Sequence, residues 1–143
     1  MKNIVIDINI FLDFLFKRQG HENVVEIFKL CMKENIKGFM CAHEITTLCY
    51  FLDKAAKDKS KTKKVISRLM KRFTVIEINE ELLNKALNSE IDDFEDAVIE
   101  VSAVEKNAEY IITRNIKDFK KSKIPAKTPE ELILLMNDEI EKN

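Results

Sequence analysis

The stretch that decides the fold is IVIDINIFLD, residues 4–13. Ile4, Val5 and Ile6 form a short β-branched run, which predicts a strand buried on both faces. The residues after Asp7 have the apolar spacing of a helix, so the chain turns from the strand directly into a helix. Open α/β sheets bind their ligands beyond the carboxyl ends of their strands. Asp7 is therefore predicted to place a carboxylate where such a fold carries out its chemistry.

The rest of the chain alternates strands with helices in the same way. Predicted strands cover 3–7, 38–41, 73–76 and 109–113, and predicted helices cover 9–17, 21–33, 43–56, 61–72, 80–87, about 93–106 and 129–141, with a helical turn at 115–119 and an extended piece between Pro125 and Pro129. This alternation predicts an α/β protein, a three-layer α/β/α sandwich with a central, mostly parallel sheet. No linker or repeat interrupts the pattern, so residues 1–143 are predicted to form a single domain.

Composition excludes several classes of protein. The chain has 143 residues, of which 45% are hydrophobic, and a formal net charge of −1. No apolar run approaches the roughly 18 residues of a membrane span, and no secretion signal is visible. We therefore expect a cytoplasmic protein that does not enter the membrane. Cys31, Cys41 and Cys49 lack metal-binding spacing and are predicted to be reduced, and His43 is predicted to cap or pack rather than to bind zinc.

The charges are unevenly distributed along the chain. Residues 54–72 contain nine Lys or Arg and one acid, whereas residues 77–105 contain ten acids and one Lys. Two solvent-exposed helix faces would explain this pattern, and so would a phosphate-binding surface beside a metal-binding centre. Charge alone favours the two exposed faces.

Several oxygen-bearing side chains are predicted to meet Asp7 at the carboxyl edge of the sheet. They follow the strands or lie on the helix before the fourth strand: Glu44, Asp93, Asp96, Glu100, Asn115 and Asp118. Clustered carboxylates repel one another unless some are protonated or a cation lies among them. A cluster of oxygen ligands without His or Cys suits Mg²⁺ or Mn²⁺.

The helix at 93–106 supplies three of these acids. At about 100° per residue, Asp93, Asp96 and Glu100 form a stripe along one side of the helix. An apolar face lies next to the stripe, made by Phe94, Ala97, Val98, Val101 and Val104. This arrangement predicts that the stripe runs along the boundary between the core and a cleft. Asp13 and Asp92 are instead expected to be caps or surface residues.

Three segments of the chain resemble the PIN-domain family and follow the family's order. They are VIDINIFLD at 5–13, DFEDAV at 93–98 and YIITRNIKDF at 110–119. The resemblance extends over essentially the whole chain and is to the kind of PIN domain found as the toxin in VapBC toxin–antitoxin pairs. It implies a flavodoxin-like three-layer fold and a Mg²⁺- or Mn²⁺-dependent endoribonuclease that hydrolyses RNA. An antitoxin partner and a homodimer are further implications.

The resemblance also implies roles for individual residues. Asp7 and Asp96 match the first and third acids of the family and would be metal ligands. Three neighbours would complete the metal site: Asp93, Asn115 and Asp118. The implied contacts to the RNA come from Asn9, Thr113 and Arg114, with Thr113 also positioning its loop. Arg114 and the basic residues of 54–72 would hold backbone phosphates.

The second family acid is an open point. Relatives place a Glu in the helix after the second strand, where alignment by the strand end puts Thr47. Glu44 lies one turn earlier on the same helix face. Glu44 therefore either reaches the metal as a catalytic acid or only complements the positive end of its own helix.

Three other functions compete with a metal-dependent nuclease. A phosphatase of the haloacid-dehalogenase kind needs a second Asp two residues after its nucleophile, where this chain has Asn9. A receiver-like signalling module would not need the acidic helix at 93–100. A catalytically weak PIN-like module that binds RNA or protein is the main alternative, because Asn115 stands where many relatives have an acid.

Overall fold

A computed structural model describes residues 2–33 and 36–142. Its strands are β1 (Lys2–Ile6), β2 (Ile36–Cys41), β3 (Thr74–Ile76), β4 (Tyr110–Ile112) and β5 (Ala126–Lys127). Its α-helices are α1 (Ile8–Leu15), α2 (His21–Met32), α3 (Ala42–Ala56), α4 (Lys59–Arg72), α5 (Glu80–Leu87), α6 (Phe94–Glu105) and α7 (Pro129–Lys142), and a 3₁₀ turn covers Ile116–Phe119. The single domain predicted for 1–143 includes residues 1, 34, 35 and 143, which lie outside the described residues.

The sheet has the order β3-β2-β1-β4-β5, and every pair of neighbouring strands is parallel. The prediction of a mostly parallel sheet is therefore confirmed. The chain builds the sheet from β1 outward through β2 and β3, and then returns to add β4 and β5 on the other side of β1. This reversal puts the topological switch point between β1 and β4, where open α/β sheets bind ligands at the carboxyl edge.

Successive side chains of each strand pack into two separate hydrophobic cores, one on each face of the sheet. In β1, Ile4 and Ile6 pack against the helices α1–α4 and α7, while Val5 packs under α5 and α6. In β4, Ile112 packs into the first of these cores and Ile111 into the second. Successive side chains of a strand point to opposite faces, so each strand must be apolar on both. The predicted three-layer sandwich is confirmed, with the sheet between two helical layers.

The first core is held by a cluster of aromatic side chains. Phe11 of α1 meets Phe73 edge-to-face with ring centroids 5.2 Å apart, and Phe28 of α2 meets Phe73 at 4.8 Å. Such pairs add about 0.5–1.5 kcal/mol beyond their burial. Phe73, predicted to begin a strand, instead ends α4 in an extended conformation and turns its ring into this core.

Helix α6 buries only part of the predicted apolar face. Phe94 and Val104, assigned to the apolar face, are 45% and 40% exposed. The buried residues are Ala97, Val98, Ile99, Glu100, Ser102 and Ala103. Ser102 can be buried because its hydroxyl donates to the carbonyl of Val98 at 2.7 Å. The small side chains of Ala97 and Ala103 let the helix approach the sheet, an advantage that apolar periodicity does not reveal.

The C-terminal segment follows the prediction closely. The extended piece between Pro125 and Pro129 is a fifth strand, in which Ala126 pairs with Ile111. Thr128 caps α7 by accepting from the N–H of Glu131, and the Glu131 carboxylate accepts from the N–H of Thr128, which forms a capping box. In the described parts of the chain, no helix combines the length and apolarity needed to cross a bilayer.

Candidate functional site

Asp7 lies at the switch point of the sheet. Its N–H donates to the carbonyl of Ile112 at 2.9 Å, which continues the pairing of β1 with β4 for one residue beyond the strand. Its carboxylate is 5% exposed and accepts a hydrogen bond from the hydroxyl of Thr113 at 2.8 Å. The sequence prediction that Asp7 sits at the carboxyl edge is therefore confirmed.

Thr113 positions the carboxylate of Asp7. Its side chain is fully buried, and its hydroxyl also accepts from the N–H of Asn115 at 3.1 Å. One hydroxyl thus ties the loop after β4 to the carboxylate after β1. Thr113 is buried in this arrangement, and the contact with RNA that the resemblance implies for it stays a prediction.

Glu44 reaches the site from α3. Its Oε2 accepts the backbone N–H of Ile8, the first residue of α1, at 2.8 Å. The side chain is 3% exposed, and burial and the nearby Asp7 raise the pKa of Glu44 well above its usual range. Glu44 therefore serves the start of α1 rather than only its own helix, while Thr47 is exposed. Of the two alternatives left open by the sequence, the geometry favours the one that brings Glu44 to the site.

Asp96 approaches from the first turn of α6 and is half-buried. Burial, followed by the charges of Asp93, Asp7 and Asp118, raises the pKa of Asp96 to about 7. Burial, with Asp93 and Asp7, also raises the pKa of Glu95. Asp93 is the N-cap of α6 and accepts the N–H of Asp96 at 3.0 Å. The predicted helix start at Asp93 is confirmed. The charge of Asp7 contributes to the raised pKa of both Asp96 and Glu95 in this turn.

The loop after β4 completes the rim. Asn115 and Asp118 are both exposed, and the Asn115 side chain makes no hydrogen bond with the rest of the described chain. Asp118 lies with Asp93 and Asp96 in a cavity of about 320 Å³. The cavity is also lined by Lys117, Lys120 and Lys121, which the sequence analysis did not single out. The available signal was the clustering of lysines at the end of the third family segment and just after it.

Arg114 makes its hydrogen bonds to Asp13, Glu130 and Gly20 rather than to the acids around Asp7, and the phosphate contact that the resemblance implies for it stays a prediction. Its Nε donates to Asp13 at 2.9 Å and its Nη1 donates to both carboxylate oxygens of Glu130 at 2.8 Å. Its Nη2 donates to the carbonyl of Gly20. These contacts join the loop after β4 to α1 and α7. Asp13 is likewise neither a cap nor a surface residue, because it is 6% exposed and paired with Arg114.

Glu100, predicted to belong to the acidic stripe, also has a structural role. It is 3% exposed and accepts from the hydroxyl of Ser89 at 2.5 Å and from the N–H of Lys123 at 2.7 Å. With both oxygens occupied by donors, Glu100 anchors two loops and does not join the acids around Asp7. Asp92, in contrast, is exposed as predicted.

Two further residues lie near Asp7. Asn9 is half-buried in the first turn of α1, two residues after Asp7. His43 is half-buried, and neither ring nitrogen has a hydrogen-bond partner in the part of the chain that the structure describes. Burial lowers the pKa of His43 more than the charge of Asp7 raises it. The imidazole is therefore neutral at pH 7 and does not offset the negative charge of the acids.

The side chains around Asp7 fit a hard divalent cation in an open site. The nearby acids offer carboxylate oxygens, and Oε1 of Glu44 is buried without a hydrogen-bond partner among the described residues. Within the described residues, no three Asp, Glu, His or Cys side chains already stand close enough together to enclose a metal. Mg²⁺ does not need such a cage, because it keeps several waters and binds through one or two carboxylates and substrate phosphates.

The fold has counterparts among solved structures. VapBC2 from Rickettsia felis, bound to a DNA fragment from its promoter, matches with a TM-score of 0.67 at 19% identity, over 88% of this chain and 98% of that one. VapBC-1 from nontypeable Haemophilus influenzae matches with 0.66 at 18%, over 90% and 98%. A toxin–antitoxin complex from Klebsiella pneumoniae matches with 0.65 at 23%, over 88% and 97%. At these identities the likeness shows the fold.

Sequence comparison gives the family. No curated protein sequence matches the chain significantly. The model of the PIN domain matches residues 3–117, which include Asp7, Glu44, Asp96 and Asn115. The match covers well over half of the chain and spans β1 to β4, the part of the fold that surrounds the switch point. The chain therefore belongs to the PIN-domain family.

Proposed function

We propose that this chain is a Mg²⁺- or Mn²⁺-dependent endoribonuclease that hydrolyses RNA phosphodiester bonds. The observation that carries the proposal is the convergence of Asp7, Glu44 and Asp96 at the switch point of the sheet. Among the described residues, none of these carboxylates is paired with a Lys or Arg. Acids brought together without a counter-charge need protons or a cation, and the membership in a family of nucleases favours the cation.

Each residue of the site has a distinct task in this proposal. Asp7 and Asp96 would hold the cation, with Glu44, Asp93, Asn115 and Asp118 as further oxygen ligands. The chemistry that a bound cation supplies is the activation of water and the offset of charge at the phosphate. Thr113 fixes the orientation of Asp7, and Glu44 fixes the first residue of α1 beside it. Asn9 would contact the RNA.

Cleavage assays and calorimetry test the proposal together. A single-stranded RNA is incubated with the parent and with Asp7→Asn, Asp96→Asn and Glu90→Gln, in Mg²⁺, in Mn²⁺ and in EDTA. Glu90 is exposed and lies outside the site, so its variant is the matched control for loss of one acid. We expect cleavage by the parent and the control only, and only with metal. Calorimetry should give Mn²⁺ binding to the parent and none to Asp96→Ala. Full cleavage by Asp7→Asn would refute the site.

A catalytically weak PIN-like module that binds RNA or protein is the second candidate. It is favoured by the exposed amide of Asn115, which stands where many relatives have an acid, and by the open arrangement of the acids. The same calorimetry separates the two functions. A parent that binds RNA but neither binds Mn²⁺ nor cleaves would be this module.

We further propose an antitoxin as partner, since the solved relatives are toxin–antitoxin complexes. An apolar groove of about 490 Å³ between α1, α2 and α4 lacks cover in the described chain. Phe14, Phe28 and Leu69 line it, and Arg68 and Arg72 stand at its side. Co-expression with the product of a neighbouring small reading frame tests the partner: toxicity should fall, and Met32→Glu, at an exposed residue that lines the groove, should restore it only if the groove is the contact.

A homodimer and a cytoplasmic location complete the proposal. Both come from the family resemblance and from composition. Analytical ultracentrifugation of the purified chain measures the first, and fractionation of the source cells measures the second. A strictly monomeric species at all concentrations would contradict the dimer.

A further inference from the structure

The cavity beside Asp96 is lined by both acids and lysines. Asp92, Asp93 and Asp96 come from the start of α6, and Asp118 and three lysines come from the turn after β4. The lysines are Lys117, Lys120 and Lys121, and all three are exposed. Within the described residues none of them makes an ion pair with any carboxylate. Three ammonium groups therefore lie beside a cluster of acids and have no anionic partner.

The lysine turn is a fixed part of the fold. Phe119, at its centre, is 4% exposed and packs into the core under α5 and α6. Just after the turn, the N–H of Lys123 donates to the buried carboxylate of Glu100 at 2.7 Å. The N–H of Ser122 donates to the carbonyl of Phe119 at 3.0 Å. The buried ring and the buried carboxylate hold the backbone, so the lysines are presented together on the outer side.

We propose that this turn is the phosphate-binding wall of the RNA site, and that the sugar–phosphate backbone on one side of the scissile bond lies in the cavity. The inference rests on the proposed nuclease function. A cation among the acids and the lysines that line the same cavity would both supply positive charge to a bound phosphate. The lysine wall takes over the role that the sequence prediction gave to Arg114 and to residues 54–72.

The sheet order separates this wall from the basic helix α4. The lysine turn follows β4, next to the switch point, whereas α4 leads into β3 at the far edge of the sheet. At the C-terminal end of α4, Arg68 and Arg72 line the apolar groove rather than the cavity beside the acids. A backbone that passes the acids therefore meets Lys117, Lys120 and Lys121.

The cavity offers affinity for RNA without a means of reading its sequence. Ile91 is its one apolar lining residue, and no aromatic ring among the described residues lines it. Stacking of bases is therefore not provided there. Contacts from Lys to phosphates weaken with salt and act alike on all sequences. The wall positions the strand, and any preference for a cleavage sequence must come from elsewhere.

The test compares two triple variants of equal charge change. The turn variant changes three lysines to Gln: Lys117, Lys120 and Lys121. The α4 variant changes three other exposed lysines to Gln: Lys61, Lys63 and Lys64. Binding of fluorescent single-stranded RNAs of two unrelated sequences is followed by anisotropy in Mg²⁺ and in the Asp7→Asn background, which prevents cleavage. The salt dependence of the binding constant is measured for each protein.

For the turn variant we expect affinity to fall by about ten-fold or more for both RNAs, and the slope of log K against log salt to shrink by about 2, at roughly 0.7 per lost contact. The α4 variant should keep the parent slope. In the cleavage assay, the turn variant should raise KM and leave kcat near the parent value. Thermal melting checks that both variants are folded.

These experiments distinguish a failure of the proposed lysine wall from a failure of the proposed nuclease function. Equal losses in both variants would mean a net-charge effect and would overturn the inference, as would parent-like binding by the turn variant. If the parent cleaves while the turn variant keeps the parent KM and salt slope, the wall is wrong and the nuclease stands. If RNA binding depends on the turn but the parent never cleaves, the nuclease is wrong and the wall stands as a binding surface.

Discussion

Replacing Asp96 by Asn should stabilise the metal-free protein while abolishing its activity. Burial and the charges of Asp93, Asp7 and Asp118 raise the pKa of Asp96 from 3.8 to about 7. A carboxyl with a raised pKa in the folded state costs stability as it ionises. The cost is absent below the unfolded pKa, grows as the pH rises, and is complete above the folded pKa. Asn has the same shape without the charge, so the variant escapes this cost.

The magnitude follows from the size of the shift. A change of about 3 pKa units corresponds to about 4 kcal/mol at 1.36 kcal/mol per unit. Asp96 is only half-buried, so solvent screens its charge and we reduce the expected gain to about 1–2 kcal/mol. Asn should preserve the N–H of residue 96 that Asp93 caps, since that bond involves only the backbone.

Urea denaturation in EDTA at pH 4 to 8 measures this gain. We expect equal free energies of unfolding near pH 4 and a gap that widens to about pH 7 in favour of Asp96→Asn. In Mg²⁺ at 100 times the dissociation constant, the parent gains about 2.7 kcal/mol that the variant lacks, so the order reverses. Glu90→Gln, which changes an exposed acid, should match the parent throughout. An Asp96→Asn protein no more stable than the parent at pH 8 in EDTA would refute the crowding of acids around Asp96.

Three further variants test the contacts that hold the site. Thr113→Val removes the hydroxyl that binds Asp7 and should lower the free energy of unfolding by about 2–4 kcal/mol, whereas Thr113→Ser keeps both hydrogen bonds; equal urea midpoints for Val and Ser would count against that role. Burial alone would raise the pKa of Glu130, but hydrogen bonds from Arg114 outweigh it and lower the pKa. The parent should therefore lose stability as the pH falls below about 4.5, and Glu130→Gln should lose less over the same range, as thermal melts would show. Gly20→Ala should cost at least about 1–2 kcal/mol in urea, because Gly20 has φ +82° and a Cβ there would overlap the guanidinium of Arg114.

The order and direction of the main elements could be predicted from local patterns. The β-branched run before Asp7 and the helix starts near 93 and at 129 depend on residues close in sequence, and the structure confirms all three. The face of α6 could not be predicted in the same way. Apolar spacing favoured Phe94 and Val104, but close packing on a sheet rewards small side chains, and that preference depends on residues from other elements.

The acids of the site show even more clearly that local sequence patterns do not predict contacts between distant elements. Sequence order placed Asp7, Asp96 and Glu44 near one sheet edge because strand ends can be counted. It gave Glu100 the same expectation, since Glu100 lies one turn beyond Asp96. Only the fold brings Ser89 and the N–H of Lys123 to Glu100 and so removes it from the site. A contact between residues more than ten positions apart has no local signature.

The structural acids differ from the candidate metal ligands in the hydrogen-bond donors that their carboxylates have, not in their positions along the sequence. Asp13 has the guanidinium of Arg114, and Glu100 has a hydroxyl and an N–H. Glu44 has one oxygen that accepts the N–H of Ile8 and another that is buried with no donor among the described residues. A buried oxygen without a donor costs about 1–3 kcal/mol. The protein would recover that cost when a cation occupies the site, so the same feature that weakens the metal-free fold should couple metal binding to stability.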